Sequence, residues 1–557
     1  MTIIYAALLL ASWLIPIHIL PWVGWQQEVT CFGLVMLMGW HSLLILKAKH
    51  PVLLPPACWP PIVLIGLIAV QWANAQITFS GDAVVIVFYM FICVVCLAVG
   101  FAVGRGANAV ALTQLFAMIL VVGAVASTFI ALVQAFDVWE DLAIINRMSS
   151  LRRPGANFGQ PNHLATFLLM GIASLAYLFE SGRMRAWMAW PAFIFLLLGV
   201  AMTESRTGLV SFFAMSLWWF ARRRTIKFKV CSGTVLAGAV CLLLLFWYWP
   251  PVLISMQPDG WFDGDTGPVN SKAGLRLIVW PQLLDAALQH PWFGWGLREV
   301  SRAHNSILHS YPLGESFIYS HNIALDLALG IGLPLAALFI IATGIWLWRR
   351  MTSAESLLPW YCLAVSIPLG VHSMLEFPFA YAYLLVPVIF MIGILEGQTA
   401  PKKFVRIAWW PAAVLQLVMT ATMAISVVEY IAIEEDFRIA RFESIHVGNT
   451  PSNYERPKIM VLSQLDALLS DVRLVPAPAM RADNIELARK VAMRYPWTAT
   501  QNRYALSLAL NGNTEEAIRQ LKVMKAMHSP DVYRRIKEHW NTLADTQYPQ
   551  LKTFLIP

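Results

Sequence analysis

Apolar side chains in this chain gather into long unbroken stretches instead of alternating with polar ones, and many stretches reach the 17 to 25 or so residues that a helix needs to cross a bilayer. The pattern predicts about 13 transmembrane helices, over approximately residues 3–23, 30–46, 60–76, 83–104, 110–136, 161–180, 187–203, 208–221, 230–250, 322–348, 357–374, 380–397 and 408–430. Two segments break it. Residues 251–321 form a long polar loop, and after residue 430 the chain turns charged and amphipathic. The expected fold is therefore an all-α polytopic membrane protein: a transmembrane domain at 1–430 and a helical domain at 431–557. Within that tail, PWTATQNRYALSLALNGNTEEAIRQLKVMKAM reads as two helices joined by NGN, like a single tetratricopeptide hairpin, with Asn513 and Glu516 at capping-box spacing.

Composition agrees. Of 557 residues, 58% are hydrophobic and only 13% charged, far too apolar a balance for a water-soluble globule. The N-terminal apolar segment has neither a basic leader nor a small-residue cleavage site, so it is expected to stay as a helix. The seven cysteines lie in or beside apolar runs and are expected to pack, with no disulfide framework and no zinc site.

The formal charge of +8 sits in short clusters between the apolar segments, a topology signal that implies no nucleic-acid partner. Lys47 and Lys49, Arg105, Arg183 and Arg185, the run from Arg222 to Lys229, Arg349 and Arg350, and Lys402 to Arg406 fall in alternate loops, which are assigned to the cytoplasm. Residues 137–160, the TESRTG turn, the loop 251–321, the EFPF corner and the tail then face the periplasm of a Gram-negative host. On that side Arg147, Arg152, Arg153, Arg206, Lys272, Arg276, Arg298 and Arg302 are exceptional. Cations near bilayer depth need partners. Glu140, Asp141, Glu204 and Asp285 are structural candidates; a phosphorylated ligand is the functional one, because the forked, permanently charged guanidinium suits phosphate.

The stretch RRPGANFGQPNHLATF, 152–167, places Gln160, Asn162 and His163 at the mouth of a predicted span. In the long loop, GLRLIVWPQLLDAALQ reads as a surface helix carrying Arg276, followed by HPWFGWG, whose Trp292 and Trp295 are read as packing, with stacking on sugar rings as the alternative. His304 and His309, five apart, make a poor metal pair. His321 stands apart, in SHN, where loop gives way to apolar helix. An imidazole there can take a proton from a hydroxyl; capping the helix start is the bland alternative.

FGQPNHLATFLL, TESRTGLV, GLRLIVWPQLL with HPWFGWG, YSHNIALDLALGIGLP and LEFPFAYAYLLVP, in this order over residues 150–395, resemble the bacterial protein O-oligosaccharyltransferases of the pilin-glycosylation ligase type, relatives of the O-antigen ligases and polymerases. The resemblance implies a polyprenyl-diphosphate-linked glycan as donor, a Ser or Thr of an exported or pilin-like protein as acceptor, an active site at the periplasmic face of the inner membrane, and no cofactor or metal. It assigns His321 as the essential histidine and Arg206 and Arg276 as diphosphate-binding residues, with Arg152 and Arg153 beside them. Gln160, Asn162, His163 and Asn322 become positioning residues. At the corner Glu376 and either Tyr381 or Tyr383 are expected to matter. A ligase or polymerase with a glycolipid acceptor is the alternative. A transporter is a third class, disfavoured because the charges gather on one face and no inverted repeat is visible.

Overall fold

In a computed structural model of the chain, residues 1–139, 142–147, 153–256, 272–445 and 447–557 are described. They are mostly helical; the one sheet among them is an antiparallel pair, Val52–Leu54 with Val405–Ile407. Among the described residues nine helices are long and apolar enough to cross a membrane, from Trp25–Leu46 to Trp409–Ser444, and Thr2–Leu14, Ala186–Met202 and Leu357–Ser373 are shorter apolar helices. The chain is a multi-pass membrane protein.

Local sequence accounts for where helices depart from the expected spans. The first stops at Leu14, just ahead of Pro16, which cannot continue the hydrogen-bond ladder. The predicted span 322–348 is two helices, Ile323–Ile331 and Leu333–Ser353, broken at Gly332. That glycine takes φ +83°, and a Cβ there would meet the Trp292 carbonyl oxygen at 2.3 Å. The HPWFGWG segment fills the break: Leu333 N–H donates to Pro291 C=O and Trp295 N–H to Leu329 C=O, both at 2.7 Å. The last long helix runs on to Ser444, beyond the apolar window that ends at 430.

The fold divides into two compact units, one of Met1–Val63, Phe88–Pro268 and Ala342–Ala421, the other of Leu64–Val87, Val269–Ile341 and Thr422–Pro557. In the first, residues 88–105 and helix Ala382–Thr399 cross with backbones in contact, since a Cβ on Gly100 would lie 2.3 Å from the Phe390 carbonyl oxygen. Small residues permit such approaches where lipid supplies no hydrophobic drive.

In the second unit, polar chemistry fastens the tail. Buried Asp82 takes two hydrogen bonds from Arg494, at 2.7 and 2.9 Å, with Arg298 at 3.5 Å. The Glu429 carboxylate accepts the backbone N–H groups of Met460, Val461 and Leu462 at 2.7–3.1 Å, at the start of helix Ser463–Val472. Helices Thr498–Leu510, Thr514–Met527 and Pro530–Thr546 pack around Leu506, Leu521, Met524 and Trp540. The expected capping box does not form. Asn513 makes no side-chain cap, and Glu516 binds Arg519 instead, because the i,i+3 guanidinium is the stronger donor. Arg494→Met should cost about 3 kcal/mol in thermal unfolding, since it leaves a buried carboxylate with Arg298 in place of its two hydrogen-bonded donors, and adding Asp82→Asn should recover part of that loss. An unchanged melting temperature in the single variant would refute the pairing.

Candidate active site

The QPNH stretch opens helix Pro161–Glu180. Proline at the first position needs no N–H partner, and the Gln160 side chain caps the turn by accepting from His163 N–H at 2.8 Å. From there the side chains reach the EFPF corner. Glu376 accepts from Asn162 Nδ2 at 2.7 Å and Gln160 Nε2 at 3.1 Å, and pairs with His372 Nε2 at 3.0 Å. The other ring nitrogen of His372 meets the Thr166 hydroxyl at 2.8 Å. His163 Nδ1 lies 2.8 Å from the Tyr383 hydroxyl, and the Tyr381 ring stands edge-on to the His163 ring at 4.4 Å. Gln160, Asn162, His163, Glu376, Tyr381 and Tyr383 are thus one cluster, in which the buried Glu376 carboxylate collects the side-chain donors of Asn162 and Gln160 beside His372.

Its walls are set from further along the chain. Asn157 donates to the Leu14 and Ile144 carbonyls at 2.7 and 2.9 Å and accepts from Asn146 N–H at 3.0 Å, which pins the GANFG turn. Gly159 closes that turn at φ +66°, with His18 and Asn146 so near that a Cβ would crowd them. Across the corner, Glu28 accepts from the Tyr89 hydroxyl and, at 3.0 Å, from the Ala382 N–H, the first amide of a helix whose N-cap residue Tyr381 offers no side-chain cap. Two tyrosines are thereby held through a carboxylate more than 350 residues away in sequence.

The TESRTG turn lies in the same unit and carries Arg206. Ser205 caps helix Arg206–Arg222 by accepting from Gly208 N–H at 3.0 Å, and this leaves Arg206 exposed in the first helical turn, where the helix dipole also favours an anion. Arg153 Nε donates to the Thr203 carbonyl at 3.0 Å, so both arginines sit at this turn. Arg152 lies outside the described residues.

Arg276, His321 and Asn322 belong to the second unit. His321 has a left-handed backbone, φ +61°, uncommon for a residue with a side chain and a mark of imposed geometry. Ser320 N–H donates to Asp326 at 2.7 Å, Ser320 Oγ to the Asn322 carbonyl at 2.8 Å, and Asn322 Oδ1 caps helix Ile323–Ile331 through the N–H groups of Ala324 and Leu325. The capping role weighed for His321 is filled by its neighbour. Trp280 Nε1 donates to the Ser320 carbonyl at 2.8 Å, so the helix that carries Arg276, one turn earlier, is fastened beside His321. His304, by contrast, is buried against Gln282, and desolvation pushes its pKa down to about 4, so it stays neutral.

Sequence reading passed over Glu28, Tyr89, Thr166 and His372. Asp, Glu and His inside an apolar span are the signal that flags such residues.

Three family models match successive parts of the chain: "Protein glycosylation ligase" at residues 154–179, "O-Antigen ligase" at 191–340 and "Virulence factor membrane-bound polymerase, C-terminal" at 360–542. Two proteins of Acinetobacter baylyi are similar. The General O-oligosaccharyltransferase is 26% identical over 538 residues, 94% of this chain and 92% of its own length. The ComP-specific O-oligosaccharyltransferase is 28% identical over 380 residues, 66% of each chain. The resemblance carried by the motifs is borne out: the chain is a relative of the O-oligosaccharyltransferases, glycosyltransferases of the wider O-antigen ligase group.

Proposed function

We propose that the chain transfers an oligosaccharide from a polyprenyl-diphosphate carrier to Ser or Thr hydroxyls of exported or pilin-like proteins, at the periplasmic face of a bacterial inner membrane. The observation that carries this reading is the setting of His321: a residue with a left-handed backbone, in a loop whose main chain is fixed by Ser320, Asp326 and Asn322. Such bracing suits a group that must meet a hydroxyl in one orientation.

In this reading the acceptor oxygen attacks the anomeric carbon, the bond from that carbon to the diphosphate oxygen breaks, the hydroxyl proton passes to His321, and polyprenyl diphosphate departs. The diphosphate is already a good leaving group, so the main requirement is to stabilise the charge that grows on it. That role falls to Arg206 and Arg276, with Arg152 and Arg153 in support. Attack opposite the leaving group inverts the anomeric centre. Gln160, Asn162, His163, Glu376, Tyr381 and Tyr383 position the reactants.

The ligase and polymerase matches favour one second reading, transfer of the same glycan to a glycolipid. Glycopeptide analysis of exported proteins, with lipopolysaccharide gels, from cells with and without the gene separates the two. Loss of a Ser- or Thr-linked glycan with unchanged lipopolysaccharide is expected; loss of lipopolysaccharide glycan alone would reject protein as the acceptor.

A further inference from the structure

The second unit holds a cavity of about 390 Å³ that the reaction scheme leaves unused, lined among others by Trp295, Arg302, Asn305, Arg489, Glu516 and Arg519. It opens at the C-terminal end of helix Lys272–Gln289. Along that helix, at 1.5 Å per residue, it lies about 20 Å from Arg276.

Each of its three guanidiniums has a carboxylate neighbour, of which Glu516 itself lines the cavity. Arg489 is held by Glu486 through two bonds of 2.7 Å, Arg519 by Glu516 through bonds of 2.7 and 2.6 Å, and Arg302 has Glu299 at 3.2 Å. A phosphate site would leave net positive charge. Here Arg489 and Arg519 are each held by a carboxylate, Arg302 donates to the Gln76 and Trp295 carbonyls, and the site presents donors and acceptors together. Gln520 adds to the frame, donating to Glu516 at 2.9 Å and exchanging bonds of 3.2 Å with Asn305. The Trp295 ring is locked by its own N–H to the Ala286 carbonyl at 2.8 Å, so a fixed aromatic wall stands beside these groups. Aromatic surface next to preorganised, charge-neutral pairs of donors and acceptors is the chemistry that recognises the hydroxyls and the C–H face of a pyranose.

We infer that this cavity is a saccharide subsite, taking a sugar of the transferred glycan several rings away from the diphosphate, and so measuring donor length. The assignment rests on the transferase reading above.

The full chain, purified in detergent, is tested with two donors that share carrier and first sugar, a polyprenyl-diphosphate-linked monosaccharide and the corresponding tetrasaccharide. Trp295→Leu and, on the half-exposed side, Arg489→Gln are each expected to lower kcat/KM for the long donor by about tenfold while the short donor stays within about twofold, as the loss of one or two polar contacts would give. Equal losses on both donors overturn the subsite, as does full activity of both variants on the tetrasaccharide. A raised KM for acceptor protein with both donors makes the cavity a protein-docking site and overturns it too. If the unaltered chain transfers neither donor, the transferase reading fails by itself. Saturation-transfer NMR with the free tetrasaccharide then decides: sugar signals that vanish in Trp295→Leu uphold the subsite, and signals equal in both proteins, or absent from both, end it.

Discussion

His321→Ala is expected to lower glycan transfer by a hundred- to ten-thousand-fold, the range that removal of a positioned proton acceptor spans. Alanine keeps the strained backbone at φ +61°, so His321→Gly makes a useful companion. Glycine adopts that conformation freely, and this variant should melt no lower than the unaltered chain while losing the same activity. Single-turnover assays with saturating donor and acceptor read the chemistry directly. Normal rates in either variant would remove the imidazole from the mechanism.

Arg276→Ala and Arg206→Ala should each reduce kcat by about 10² to 10³-fold, the usual consequence of deleting one donor that faces developing negative charge. The loss should fall on donor use: kcat and kcat/KM for the lipid-linked glycan drop together, while the KM for acceptor protein holds. Lysine should restore little at either position, because a point charge does not reproduce the two parallel N–H bonds of a guanidinium. Donor kinetics unchanged in both alanine variants would contradict the diphosphate assignment.

Much of the membrane character was legible because it rests on one strong term, the cost of placing unpaired polar groups in hydrocarbon. Helix boundaries were less so. Gly332 sits inside a continuous apolar run, and only its contact with the Trp292 backbone shows why the helix must break there. The QPNH stretch stood out by composition. Its real partners did not, because Glu376 is joined to Asn162 across 214 positions and Glu28 to Ala382 across 354, and a single sequence carries no trace of such distant pairs. His372 and Thr166 hid for another reason: they lie in separate apolar helices 206 positions apart, with nothing local to show that they face one another. The capping box failed where a local rule met stronger local chemistry, since the Arg519 guanidinium outcompetes a backbone amide for Glu516.

The segment from Pro291 to Gly296 is stitched into the interrupted helix by main-chain bonds that run in both directions, Leu333 to Pro291 and Trp295 to Leu329. Lifting it away would expose amides and carbonyls of the helix at the gap, with no side chain to replace what was lost. This segment is therefore poorly suited to act as a hinged flap over incoming substrate. It behaves as masonry, and any gating that a turnover cycle demands has to be carried by other parts of the chain.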